Sequence, residues 1–300
     1  MELRVLEYFL AVAREQSITA AAESLHISQP ALSTQLKNLE QDLGKQLLIR
    51  GKKGSRKVSL TEEGMILRKR AEEIVSLVQR AEREIGQSEE TVAGDVFIGA
   101  GETELVRLLA RVAQTMERQY PDIRYHISSG NAEHVLDYLD KGLIDFGLLF
   151  AQVDPKKYEA LALPVKDRWG VLMRKDAPLA QQESVRPQDL WDKPLIISQQ
   201  ENGSPLERWL QRKPQELRIV ATYNLVFNAS LLVDEGLGYA ICYDKLINTQ
   251  GSGLCFRPLT PALMAPGYVV WKRYQVFSKA ASLFLQHLRE VLDPAAGEKQ

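Results

Sequence analysis

Short apolar runs and amphipathic stretches alternate along the chain from Gly94 onward. A first set predicts strands over 95–100, 123–128 and 144–150, with helices over 104–120 and 133–141. A second set begins with a strand over 169–174 and ends with a strand over 239–242, and a last strand and helix are predicted over 268–272 and 277–292. Alternation of this kind is typical of parallel sheets with right-handed crossovers, so the pattern predicts an α/β fold.

Composition indicates a globular chain of about two domains. The 300 residues are 45% hydrophobic and 26% charged, which excludes disorder and a fibrous architecture. No stretch approaches the roughly 18 consecutive apolar residues that a membrane helix needs. The start of the chain, Met1–Arg4, also lacks the apolar block of a signal peptide. We therefore expect a cytoplasmic protein with no membrane partner.

The first 44 residues show three helical patterns. After a helix that starts near Leu3 and a small-residue helix over 19–25, Ser28 is placed as an N-cap, with Pro30 in the first turn that follows. The third helix has a leucine stripe and ends at Gly44. Two short helices joined by a tight turn form the helix-turn-helix signature, in which the second helix enters the major groove of DNA.

A basic hairpin is predicted after the third helix, with strands over 46–50 and 56–60. The first 60 residues hold nine Lys and Arg against six Asp and Glu, and the basic excess lies in a run without acids. That run contains Lys45, Arg50, Lys52, Lys53, Arg56 and Lys57. By composition alone, a nucleic-acid contact and a solvated charged loop explain it equally well.

From Thr61 to Gly86 the sequence predicts one long helix. Its apolar positions step by four and three alternately, as in a coiled-coil seam; they are Leu67, Ala71, Ile74, Val78, Ala81 and Ile85. Such a helix either packs on its own domain or forms a dimer. We favour dimerisation because the far face is charged and no intrachain partner is obvious.

At this point the chain resembles the LysR-type transcriptional regulators over nearly its whole length. The resemblance is carried most specifically by residues 9–13, 17–22, 25–33, Leu36, Leu39–Glu40, Leu43–Gly44, Leu47–Leu48, Arg50, Val58, Leu60–Thr61 and Gly64. Residues 142–147, 177–180 and 233–239 also look like recurring segments of that family. Three departures stand out: Leu48 replaces a usual Phe, Thr34 replaces a frequent DNA-contacting Arg, and the wing is about three residues longer.

The resemblance implies a three-part architecture. It comprises a winged helix-turn-helix (1–60), a dimerising linker helix (61–90) and an effector-binding region (91–300) similar to periplasmic solute-binding proteins. In that region, subdomain I covers 94–163 and 267–292, and subdomain II covers 164–266. The late strand and helix fit this crossover, since a βαβαβ half needs a chain return to cover its remaining face. The implied partners are duplex DNA, a small organic effector, RNA polymerase and further copies of the chain, as a homodimer or a homotetramer.

Residue chemistry suggests which side chains contact DNA. Gln29 can bond adenine at two points, Ser33 a base edge or phosphate, and Pro30 and Ala31 a thymine methyl. The predicted DNA-binding set is Ser28, Gln29, Pro30, Ala31, Ser33, Thr34, Lys37, Arg50, Lys52, Lys53, Arg56 and Lys57. The basic wing residues suit phosphate contacts, which orient more than they specify.

Effector contacts are expected in loops at the carboxyl ends of strands, where open α/β sheets bind ligands. The candidates are Gly101, Glu102, Thr103, Ser129, Asn131, Ser198, Gln199 and Thr222. Each is equally explained as a helix cap. Glu102 argues against a purely anionic effector and favours one that bears an amine or hydroxyl.

Other classes of site find little support in the sequence. Cys242 and Cys255 resemble buried structural thiols more than the peroxide-sensing pair of some regulators of this kind. Neither cysteines nor histidines show metal-ligand spacing, and we expect no cofactor besides the effector. An enzyme would need a nucleophile, metal or phosphate motif that the chain lacks. A transport solute-binding protein would need an export signal and no DNA-binding domain.

Overall fold

A computed structural model describes residues 1–51, 57–86, 92–150, 152–199 and 205–292. It divides into two compact units, Met1–Ser88 and Glu89–Gln300. We refer to them as the head and the α/β unit.

The head consists of helices followed by a small hairpin and a long helix. The elements are α1 Leu3–Glu15, α2 Ile18–Ser24, α3 Gln29–Leu43, β1 Leu48–Arg50, β2 Val58–Leu60 and α4 Glu62–Ile85. Phe9, Leu32 and Leu36 are fully buried at the centre of its core. Gly44 ends α3 with φ of 62°, a left-handed conformation that glycine adopts without strain. The strands pair antiparallel, with Leu48 opposite Leu60.

The α/β unit alternates strands and helices as predicted. Its elements are β3 Gly94–Ala100, α5 Val106–Glu117, β4 Ile123–Ser129, α6 Ala132–Asp140, β5 Phe146–Leu149, β6 Tyr158–Arg174, β7 Leu195–Ser198, α7 Pro205–Leu210, β8 Ile219–Tyr223, α8 Val226–Asp234, β9 Tyr239–Tyr243, β10 Leu254–Pro258, β11 Met264–Lys272 and α9 Lys279–Leu292. Short 3₁₀ helices cover Pro178–Gln181, Pro187–Asp189 and Pro214–Glu216.

Two parallel three-stranded halves are joined by a pair of long antiparallel strands. The strand order is β4-β3-β5-β11-β6-β9-β7-β8, with β10 beside β6. The pairing of β6 with β11 shifts register between Pro266 and Tyr268, so its two stretches serve different halves. Each half therefore keeps its own parallel sheet while β6 and β11 run through both.

Separate apolar cores support the two halves. Val96, Phe146 and Phe284 belong to one core, in which α9 packs with the first half. Val171, Leu195 and Ile241 belong to a second core. The architecture confirms the predicted fold class: a winged helix-turn-helix, a long helix and a two-part α/β region.

Candidate functional site

In the head, α2 and α3 form a helix-turn-helix. Ser17 Oγ accepts a hydrogen bond from Ala20 N at 3.3 Å and caps α2. Ser28 Oγ accepts from Ala31 N at 3.4 Å and caps α3, so the Ser28 hydroxyl is already used by the helix. The turn between them is closed by Ile27 N, which donates to Ala22 O at 3.0 Å.

The first turns of α3 present a polar face. Gln29, Pro30, Ala31, Thr34 and Lys37 are exposed and Ser33 is half-buried. The Thr34 hydroxyl donates to Pro30 O at 2.9 Å and is engaged within the helix. Gln29 carries an amide that both donates and accepts, which suits two-point contact with a base edge. Lys37 adds a positive charge two turns further along.

Glu40 holds the hairpin of β1 and β2, here called the wing, against α3 through hydrogen bonds. Its Oε1 accepts from Leu47 N at 2.8 Å and from Leu48 N at 3.0 Å. Its Oε2 lies 3.5 Å from Arg50 Nη2, so the Arg50 charge is partly compensated within the head. This contact favours a positioning role for Arg50. Lys57 is exposed, and the other predicted wing contacts, Lys52, Lys53 and Arg56, lie outside the described residues.

The first turns of α4 pack on the head itself. Ala71 is fully buried, and Leu67 packs against the head core. The helix contacts α1. The expectation that this helix lacks an intrachain partner is therefore wrong at Leu67 and Ala71, because both are buried or packed within the head.

An apolar stripe, here called the open stripe, is exposed on the second half of α4. Ile74 is 38% exposed and Ile85 is 84% exposed, while Val78 is half-buried and Ala81 exposed. Leu77, which the predicted seam omitted, is 36% exposed beside them. An apolar stripe with this spacing is typical of a surface that another helix covers.

A cavity of about 270 Å³, here called the cleft cavity, lies between the halves of the α/β unit. Its wall includes Gly101, Glu102, Gly130 and Phe150 from the first half and Ser198, Tyr223, Asn224, Val226, Cys242 and Tyr243 from the second, with Trp169 on β6. The Tyr243 ring lies 4.3 Å from Trp169 and 4.9 Å from Phe150 between ring centroids. A space of this size lined mostly by apolar groups suits a small organic molecule.

Glu102 links the two halves across the cleft cavity. Its Oε2 accepts a hydrogen bond from Val226 N, the first residue of α8. A carboxylate is stabilised at a helix N-terminus by unsatisfied N–H groups and by the helix dipole. The bond therefore favours the arrangement in which the halves approach each other.

The predicted effector residues fall into three groups. Gly101, Glu102 and Ser198 line the cleft cavity, whereas Ser129, Asn131 and Gln199 line an adjoining polar space of about 360 Å³ that shares Glu102 and Asn224. Asn131 also caps α6, with its Oδ1 accepting from His134 N at 2.8 Å. Thr103 and Thr222 are not among the described residues that line either space.

Thr103 and Thr222 lie away from the cavity wall for different reasons. Thr103 is 7% exposed and its hydroxyl donates to Asp167 Oδ2 at 2.6 Å, so it ties the end of β3 to β6. Thr222 pairs with Ile197 on β7, whereas the next residue, Tyr223, pairs with Ser198 and lines the cavity. Successive strand residues point to opposite faces, so the prediction for β8 missed the wall by one residue.

Both cysteines are buried free thiols. Burial, and to a lesser extent the charges of Asp244 and Glu102, raises the pKa of Cys242 to about 12. A raised thiol pKa lowers the thiolate fraction at neutral pH, and the thiolate is the reactive species. At pH 7 a pKa of about 12 leaves roughly one thiolate in 10⁵ molecules.

Peroxide is therefore expected to leave this protein unmodified. Treatment at pH 7 with peroxide and a thiol-specific probe should label neither Cys242 nor Cys255 in the folded chain, whereas the chain unfolded in denaturant should label at both. Intact mass spectrometry measures the labelling. Rapid oxidation of Cys242 in the folded protein would contradict its assignment as an inert thiol.

Across the described ranges, His, Cys, Asp and Glu side chains form no group of three that can hold a metal ion. Within those ranges no helix is both long and apolar enough to span a membrane.

Two family models together match most of the chain. Residues 3–65 match the bacterial regulatory helix-turn-helix protein of the lysR family, and residues 89–293 match the LysR substrate binding domain. Among curated proteins, the HTH-type transcriptional regulator BsdA of Bacillus subtilis is 30% identical over 293 residues, covering 95% of this chain and 99% of that protein. A probable RuBisCO transcriptional regulator of Synechocystis is 30% identical over 256 residues, with coverage of 83% and 72%.

A solved structure shows the same fold along the chain. Full-length CbnR in complex with its target DNA aligns with a TM-score of 0.76 at 20% identity, covering 97% of this chain and all (100%) of CbnR.

Proposed function

The chain belongs to the family of LysR-type transcriptional regulators, and from that premise we propose roles for its individual residues. It is a DNA-binding transcriptional regulator with an effector-binding domain, and it is not an enzyme. We propose that the exposed start of α3 reads operator sequence, that the open stripe of α4 forms a dimer, and that the cleft cavity binds a small organic effector as the protein's one regulatory ligand.

One observation supports the effector role above the others. The cleft cavity is lined from both halves of the α/β unit, and only β6 and β11 are described as running through both. A ligand that touches both walls has higher affinity for the state in which the halves are close, and this differential affinity shifts the equilibrium between states. We also propose that the regulator acts in the cytoplasm, on promoter DNA with RNA polymerase, as a homodimer or a homotetramer.

Base reading by Gln29 is tested by its truncation. Gln29→Ala is expected to cost about 1–3 kcal/mol on the cognate operator and to relax preference at one base position. Gln41→Ala is the matched control, because Gln41 is an exposed glutamine at the other end of α3. Titration of an operator library measures both variants. Equal sequence preference for the two variants and wild type would remove Gln29 from base reading.

Lys57 is expected to behave differently from Gln29. It is exposed at the edge of the wing, where a lysine suits phosphate contact. Lys57→Ala should weaken binding to operator and to random DNA alike, and lower the slope of log affinity against log salt by about one. A loss confined to the operator would instead assign Lys57 to base contact.

A further inference from the structure

The charge on the described wall of the cleft cavity is of one sign, negative. Among the described residues that line it, Glu102 is the charged one, and no Lys or Arg is present. On this described wall a negatively charged ligand would meet no side-chain cation.

Two further carboxylates adjoin residues of this wall. Asp167 pairs in the sheet with Ala265 of the wall, is 4% exposed and accepts the Thr103 hydroxyl, and burial raises the pKa of its carboxyl. Asp244 pairs with Arg168 at 2.6 Å, so its charge is largely compensated. Burial first, and then the charges of Asp244 and Glu102, raises the pKa of the Cys242 thiol, which faces the cavity. Because Asp244 is paired and the pKa of Asp167 is raised, Glu102 carries the charge with which a bound cation would pair.

The Glu102 carboxylate can accept a further hydrogen bond from a ligand. One of its carboxylate oxygens accepts from Val226 N, and a carboxylate can accept several hydrogen bonds through its two oxygens. No Lys or Arg lies beside it on the described wall. Because closure of the cleft removes water from this charge, a bound cation would stabilise the closed state.

The aromatic cluster suits the rest of such a molecule. Trp169, Tyr243 and Phe150 form a continuous ring surface on the cavity wall. Aromatic faces attract ammonium groups and also pack against apolar rings. The anion-binding position at the start of α8 is meanwhile occupied by Glu102 itself.

We propose that the cleft cavity binds an organic amine, with an ammonium that pairs with Glu102 and an apolar, single-ring body that packs on Trp169 and Tyr243. The proposal rests on the effector role proposed above for this cavity. It names the chemical class of the effector: a small cation, in preference to a carboxylate of the same size. The ammonium donates to the Glu102 carboxylate of the first half while the ring packs on Trp169 and Tyr243, so the molecule as a whole contacts both halves.

The test uses three probes of matched size against the full-length protein. Calorimetric titration at pH 7 compares 2-phenylethylamine, 2-phenylethanol and phenylacetate, which are cationic, neutral and anionic. We expect the amine to bind about tenfold or more tightly than the alcohol, and phenylacetate to bind most weakly. Glu102→Gln should erase the advantage of the amine over the alcohol, because it removes the charge that pairs with the ammonium and keeps the shape.

Two further variants distinguish failure of the amine class from failure of the effector role proposed for the cavity. Glu104→Gln removes a neighbouring charge that pairs with Arg107 and does not line the described cavity wall, so it should preserve the preference for the amine. Ser198→Trp should abolish binding of every probe by filling the cavity. If phenylacetate binds most tightly and Ser198→Trp still abolishes its binding, the amine class is overturned while the cavity role stands. Amine binding that survives Ser198→Trp overturns both the amine class and the cavity role. Failure of the amine to bind wild type overturns the amine class.

Discussion

Replacing Ile74 by glutamate is expected to dissociate the protein into monomers and to weaken binding to a two-half-site operator by more than about a hundredfold. Ile74 lies on the open stripe of α4 and is 38% exposed within its own chain. In a twofold dimer the two introduced carboxylates would face the same interface. An unpaired buried charge costs about 3–5 kcal/mol, and each 1.4 kcal/mol is a tenfold change in affinity.

Sedimentation velocity and operator titration measure this effect. Binding to a single half-site should change by less than about threefold, because the reading face on α3 is untouched. Ser76→Glu is the matched control: it adds the same charge to an exposed position about 200° around the helix from Ile74. An unchanged oligomer for Ile74→Glu would show that the stripe is not the dimer contact.

The head was largely predictable because its signals are local. The N-cap at Ser28, the proline after it and the leucine stripe each act within a few residues, and α3 begins and ends where they indicate. The role of Glu40 was harder to infer, since its partners are the backbone of the wing and Arg50. Its presence in the family pattern was the available signal.

In the α/β unit, local alternation predicted the two parallel halves and missed the full length of the strands that join them. The prediction began a strand at Trp169, whereas β6 starts at Tyr158. Its middle contains a proline and exposed residues from 164 to 166, so no apolar period marks it as a strand. Pairing with β11, about a hundred residues later, is what holds it extended.

The site was predictable to the level of strand ends and no further. Parallel strands place their carboxyl ends together, which located the cavity correctly near Gly101 and Ser198. Whether a given residue faces the cavity depends on contacts distant in sequence, such as the bond from Thr103 to Asp167. The sequence explains Trp169 equally well as a core residue or as part of the cleft lining, and Tyr243 carries no signal of its own; the pairing of β6 with β9 brings both to the wall.

Filling the cleft cavity is expected to abolish the effector response. Ser198 is half-buried on the wall of a space of only about 270 Å³, so the indole of Ser198→Trp would occupy the volume that a ligand needs. Operator affinity without effector should stay within about threefold of wild type, because the DNA-reading face belongs to the other compact unit. Since a ligand shifts an equilibrium only by its differential affinity, a variant that cannot bind it cannot respond.

The matched control for Ser198→Trp is Thr222→Trp. Thr222 is exposed on β8, one residue before the wall position Tyr223, and is not among the described lining residues. Operator titrations with and without a cavity ligand, for instance the tightest of the three phenyl probes, compare both variants with wild type. We expect the ligand-dependent shift in operator affinity to vanish in Ser198→Trp and to persist in Thr222→Trp. A full shift in Ser198→Trp would place the effector site outside the cleft cavity. Loss of the shift in both variants would mean that tryptophan disturbs the sheet formed by β7 and β8, and not the ligand's volume alone.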